Sequence, residues 1–213
     1  MTVALRPPVP ADLAALGEVA YQTGFFGESA ARYFPDRRLF TLLWVWPYLH
    51  GAGGPGCLVA EVNGQVQGYI LGNADPARYR QVVTQAGLLG AAASLGGEVY
   101  RPQDCWRYLL RLARHPAPHA DERLYPAHLH INLLPGNRGL GLGKRLLGAH
   151  LDALRASGVP GVQLSTTAEN VPALGLYRRL GFQELAHQES DLWTPWLGHP
   201  TAQIVMGLRL SRL

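Results

Sequence analysis

AHLHINLLPGNRGLGLGKRLLGAHLDALRAS, residues 127–157, is the stretch on which the reading of this chain turns. Its first part, Ala127–Leu134, alternates apolar and polar residues and reads as a strand. Its last part, from about Gly141 to Ser157, reads as a helix, which Gly158-Val159-Pro160-Gly161 then ends. Between them lies a glycine-rich turn, Arg138-Gly139-Leu140-Gly141-Leu142-Gly143-Lys144. A helix start carries free backbone N–H groups and the positive end of the macrodipole. Glycine lets the backbone approach an anion closely and adopt positive φ. A strand, a glycine turn and a helix in this order make a phosphate cradle, to which Lys144 or Arg145 can add a charge.

Two familiar phosphate motifs do not fit. The P-loop needs a glycine five residues before the Gly-Lys pair and a Ser or Thr after it; here those positions hold Arg138 and Arg145. The dinucleotide fingerprint GxGxxG fails because the glycines at 139, 141 and 143 are each two apart. The pattern that fits is Arg-x-x-Gly-x-Gly, at Arg138, Gly141 and Gly143. Downstream, Asn170 is followed by Ala173-Leu174-Gly175-Leu176-Tyr177-Arg178-Arg179-Leu180-Gly181-Phe182. With these two motifs in order, each in its expected element, the chain resembles the GNAT superfamily of N-acetyltransferases, over roughly residues 127–187.

Outward from the turn, Thr2–Pro7 reads as a strand, Pro10 to about Ala20 as a helix, and Arg37–His50 as a helix ending near Pro47. Cys57–Val62 and Gln65–Leu71 are strand-like and joined by Asn63-Gly64, a strong hairpin signal. Arg78–Ser94 and Gln103–Arg114 are helix-like, and residues 74–124 read as a helical insertion in a single domain spanning 1–213. Val162–Thr166 is a further strand. Asn170–Leu180 is a helix closed by Gly181, where Asn170 is placed to cap the start. Phe182–Gln188 and Ala202–Leu210 are the last strands.

The resemblance implies an α+β, three-layer fold. Its central sheet is mixed and mostly antiparallel, flanked by helices, and splayed between strands 4 and 5, with the helical insertion preceding strand 4. It also implies transfer of acetyl from acetyl-CoA to a primary amine, directly, in a ternary complex. Pantetheine would enter the gap between the strands at 127–134 and 162–166 and meet the backbone of Ile131, Asn132 and Leu133. The N–H groups of Arg138, Gly139, Leu140, Gly141, Leu142, Gly143 and Lys144 would hold the pyrophosphate, with Asn170, Ala173 and Tyr177 beside the cofactor. Tyr177 would protonate the leaving CoA thiolate. Some relatives carry a base on the second splayed strand, five residues before the motif asparagine; here that position is Ser165, so the role does not transfer. His130 and His128 share one face of the first splayed strand and are the candidate bases.

The remaining composition narrows the field. A net charge of +4, with no block of like charge and Lys144 as the only lysine, does not suggest nucleic-acid binding. No apolar run is long enough to span a bilayer, and no signal peptide is evident, so a cytoplasmic protein is expected. Cys57 and Cys105 read as inert thiols rather than a disulfide. His115, His119, His128 and His130 raise a metal reading, but the two prolines between His115 and His119 prevent a helical pair, and no metal is expected. Of the aromatics outside the motifs, Trp44, Trp46, Tyr48, Tyr125, Trp193 and Trp196 read as core packing, with a place in the acceptor wall the alternative. The expected partner is a small-molecule or peptide amine, with the chain as a monomer or homodimer. The competing readings are a non-catalytic acyl-CoA-binding or interaction module on the same fold, and a transferase for longer acyl groups.

Overall fold

The computed structural model describes residues 2–95, 100–137 and 141–210. Among them, seven strands form one sheet: β1 (Val3–Arg6), β2 (Leu58–Val62), β3 (Gln65–Asn73), β4 (Ala127–Leu133), β5 (Gly161–Thr167), β6 (Gln183–Ser190) and β7 (Thr201–Arg209). Their order is β1-β2-β3-β4-β5-β7-β6, and every neighbouring pair is antiparallel except β4–β5. The β2–β3 hairpin turns at Asn63 (φ 51°) and Gly64 (φ 78°), two residues with positive φ, as a tight hairpin turn requires.

The parallel pair decides the shape of the site. β4 and β5 are in register only at Ala127↔Val162 and His128↔Gln163. Beyond that point β4 stays paired to β3 as far as Gly68↔Leu133, and β5 stays paired to β7 as far as Thr167↔Gln203. Each strand keeps its outer neighbour while the gap between them opens.

Helices cover both faces. α5 (Leu142–Ala156) and α6 (Val171–Arg179) bury Leu146, Leu147, Leu151, Leu154, Leu174 and Tyr177 against Ala127, Leu129, Val162 and Leu164. Those strand residues are alternate positions of β4 and β5, so one face of each strand serves this core. The opposite face receives α1 (Leu13–Thr23) and α2 (Arg37–Trp44), which pack Leu16, Val19, Leu39 and Phe40, with Phe34 of the segment between them, against Tyr69 and Leu71 of β3. α2 stops at Trp44, three residues short of the expected end, because the ring of Pro47 would clash with the carbonyl of Leu43. α1 runs to Thr23, past the expected Ala20, and Gly24 follows it as its cap.

Within residues 74–124 lie α3 (Pro76–Leu95) and α4 (Pro102–Arg114). They bury Ala86, Cys105 and Tyr108 in the α1–α2 core. Tyr108 stands 4.6 Å from the ring of Tyr33 and 5.3 Å from that of Trp193, just before the short α7 (Thr194–Leu197). Both cysteines are free, and burial pushes the Cys57 and Cys105 thiols up, the latter to about 11, so both are protonated and unreactive at neutral pH. No helix among the described residues is long and apolar enough to cross a membrane.

Candidate functional site

Gly141 has φ 74° and caps α5, and the Arg145 N–H closes the first helical bond on its carbonyl at 3.0 Å. The N–H groups of Leu142, Gly143 and Lys144 therefore precede the first bonded amide of the helix and are open to a ligand. Gly143 stands where a Cβ would lie 3.3 Å from the Leu176 side chain and 3.4 Å from that of Leu133. Both leucines line a cavity of about 670 Å³, together with Ile131, Asn132, Gly141, Gly143 and Lys144. Asn170, Ala173, Tyr177 and Arg179 close its other side. Leu142 is 1% exposed and turned into the core, so only its backbone can serve a ligand. Arg138, Gly139 and Leu140 lie outside the described residues. Arg179, on the last turn of α6, is a second cation at this cavity that the motif reading did not single out.

The strand edge facing the gap follows from the backbone. The N–H of Leu134 donates to the Gln67 carbonyl of β3 at 3.0 Å. Alternate residues of a strand direct their backbone groups to opposite edges, so Ile131 and Leu133 present N–H and C=O toward β5, where β4 has no partner. This is the edge that an extended, amide-bearing chain can join as an extra strand. Asn132 faces the other way. Its side-chain amide donates to the Thr23 hydroxyl at 2.6 Å, and that hydroxyl donates to the Val19 carbonyl at 2.7 Å, tying β4 to the end of α1.

A second cavity, of about 360 Å³, lies on the α1–α2 side of the gap. It shares Thr23, Phe26, Ile131, Asn132, Asn170 and Tyr177 with the first, so the two meet at the splay. Tyr177 is 6% exposed, and burial pushes its phenol well above the usual range. Its hydroxyl has no hydrogen bond among the described residues. Asn170 stands at the start of α6 but makes no side-chain cap bond. Capping therefore does not account for it, and its amide remains available to both cavities.

The two histidines separate. His128 lies at the last point of β4–β5 pairing, with its Nε2 2.9 Å from the Tyr48 hydroxyl and its ring 4.2 Å from that of Tyr79. It lines neither cavity. His130, two residues on, lies beyond the pairing and lines the inner cavity, opposite Ser165 and Thr167 of β5. Surrounding protein lowers the pKa of His130 to about 4. Burial, together with the charges of His130, His119 and His150, lowers that of His128 to about 3. Both rings are thus neutral at pH 7. Among the described residues no three His, Cys, Asp or Glu side chains cluster as a metal site would need.

Trp44 and Trp193 line the inner cavity. Trp46 instead stacks on His50, Tyr48 holds His128, and Trp196 packs against Trp193 and Tyr108. Sequence reasoning missed Phe26, Tyr33, Tyr69, Tyr108 and Thr167. Phe26 is held at φ 52°, a conformation costly for a bulky side chain, and it borders both cavities. The Gly24 and Gly27 on either side of it were legible only as a helix break. The Thr167 hydroxyl is buried and has no partner among the described residues.

The histidines have a consequence for stability. Between pH 6.5 and about 3 the unfolded chain binds a proton at His128 that the folded chain does not. The unfolded state then holds more protons, so stability falls as pH falls through this window, by up to about 1.4 kcal/mol per pH unit for a histidine as enclosed as His128. The melting temperature is expected to drop from pH 7 to pH 5 and to stay level from pH 7 to pH 8, with a shallower drop in His128→Gln. Equal melting temperatures at pH 7 and pH 5 would contradict this.

The acetyltransferase (GNAT) family profile matches residues 106–182, from within α4 to the end of α6. A mycothiol acetyltransferase of Arthrobacter sp. (strain FB24) is 46% identical over 52 residues, which are 24% of this chain and 16% of that protein. The chain thus spans less than a fifth of that relative. Among solved structures, that of SsHAT superposes with a TM-score of 0.65 at 26% identity, covering 99% of this chain and 100% of the other. That of yncA from Salmonella typhimurium, solved with its cofactor acetyl-CoA, superposes with a TM-score of 0.60 at 18% identity, over 100% and 96%. Residues 106–182, with the α5–α6 unit, are thus similar to the GNAT acetyltransferase family, and the splayed sheet gives the whole chain the fold of those solved structures.

Proposed function

We propose that this protein transfers acetyl from acetyl-CoA to a primary amine, directly, with both substrates bound at once. One observation carries the reading: two cavities of different character meet at the splay, and Tyr177 and Asn170 belong to both. The outer cavity offers open helix N–H groups, a strand edge and the cations Lys144 and Arg179, a fit for a pyrophosphate continued by a pantetheine amide chain. The inner cavity then holds the amine.

In this reading the open amides at Gly143 and Lys144 take the pyrophosphate. Ile131 and Leu133 hold the pantetheine by backbone hydrogen bonds, which leaves the thioester at Tyr177. The amine nitrogen bonds to the acetyl carbon, and the carbon–sulfur bond breaks with its electron pair going to sulfur. Tyr177 gives that sulfur a proton. The burial that keeps the phenol protonated also disfavours a thiolate beside it, so the sulfur is driven to accept. His130 takes the proton from nitrogen after the new bond has formed, when that nitrogen is far more acidic than a free ammonium. A base this weak does not strip an alkylammonium in its ground state, so the amine attacks in its neutral form.

The test is release of CoA thiol. With acetyl-CoA and a panel of primary amines, release is expected to depend on amine and to yield the N-acetyl product by mass. Tight acetyl-CoA binding with no release on any amine would instead support a binding module.

A further inference from the structure

The wall of the inner cavity narrows the acceptor. Phe26, Tyr33, Trp44, Tyr69, Tyr108 and Trp193 supply its rings, and among the described residues no Asp, Glu, Lys or Arg lines it. Its tyrosines are neutral at pH 7, because burial raises Tyr33, Tyr69, Tyr108 and Tyr177, and the pKa of His130 is moved down, away from neutrality. A carboxylate, a phosphate or a second ammonium brought here would lose its water and find no counter-charge. An aromatic body would gain edge and face contacts with the rings around it. A single amine can rest against ring faces and then react as the free base.

Resting on the acetyl-transfer reading, we infer that the acceptor is a primary arylalkyl monoamine, an aromatic body carrying one amine on a short alkyl chain, without a carboxylate, a phosphate or a second cationic group. The segment 74–124 takes part in this selection, since Tyr108, Leu112 and Ala117 belong to the wall. A sugar amine, a polyamine or an amino acid meets the same rings without the counter-charges or the many hydrogen bonds that it needs.

The experiment compares 2-phenylethylamine with phenylalanine, which adds only a carboxylate, and with glucosamine and spermidine. The expected result is a kcat/KM for 2-phenylethylamine at least 100-fold above each of the other three. A value for phenylalanine, glucosamine or spermidine within tenfold of it, or above it, overturns the inference and leaves acetyl transfer standing. A second readout needs no turnover. Trp44 and Trp193 line the cavity, so 2-phenylethylamine is expected to quench tryptophan fluorescence saturably, and phenylalanine is not. Saturable quenching by 2-phenylethylamine with no CoA release from any amine upholds the aromatic-amine cavity and overturns the transferase reading. Release with other amines and no quenching by 2-phenylethylamine overturns the aromatic-amine class alone.

Discussion

Tyr177→Phe is expected to lower kcat at least about 100-fold, the lower end of what a positioned general acid contributes. The acetyl-CoA dissociation constant should stay within about twofold, because a proton donated only as sulfur leaves adds little to ground-state binding. The ring is what packs. It lies in the α5–α6 core at 5.8 Å from the ring of Phe182, and the hydroxyl has no hydrogen bond within the described residues. Removing the hydroxyl alone should change stability by no more than about 0.5 kcal/mol. Steady-state kinetics, calorimetry and thermal unfolding on the one variant separate these effects. An unchanged kcat would show that another group protonates the sulfur.

Gly143→Val should weaken acetyl-CoA binding more than 100-fold without unfolding the chain. The new Cβ enters between Leu176 and Leu133, at distances that force both to give, and the branched side chain extends into the outer cavity that they line. The helix does not suffer, since valine has a somewhat better helix propensity than glycine. Gly143→Ala should give an intermediate loss of about tenfold, corresponding to about 1.4 kcal/mol. Gly141 makes a poorer test. A Cβ there meets nothing within 4 Å, but φ 74° strains any other residue, so lost binding and backbone distortion would be confounded. Isothermal titration with a circular dichroism control checks the pair. Wild-type affinity in Gly143→Val would place the pyrophosphate elsewhere.

What could be read from the chain was local. The alternation of β4, the glycine turn and the α5 helix lie within one continuous stretch, and Asn63-Gly64 specifies its hairpin from two residues. The inner cavity is of another kind. Thr23, Tyr69, Tyr108 and Thr167 come from four elements and Trp193 from the turn before α7; the fold alone brings them together, and no period or spacing links them. The histidines illustrate the limit. The two-residue period correctly gave His128 and His130 one face, yet their surroundings differ because the β4–β5 pairing ends between them. That end point is a property of two strands whose paired residues, His128 and Gln163, lie 35 positions apart, so one residue is sealed under Tyr48 and Tyr79 while its neighbour opens to the cavity. Asn170 shows the converse. Its position at a helix start suggested a cap, but the cap bond is absent, and its side chain borders both cavities instead.

The central claim is that the α5 turn grips CoA by its pyrophosphate while the splay holds the pantetheine. It is tested most directly by titrating acetyl-CoA and S-acetylpantetheine, which lacks the pyrophosphate and nucleotide, into the wild-type protein. The account predicts that acetyl-CoA binds at least 100-fold more tightly, and that raising the salt concentration narrows the difference. Equal affinities for the two thioesters would contradict it.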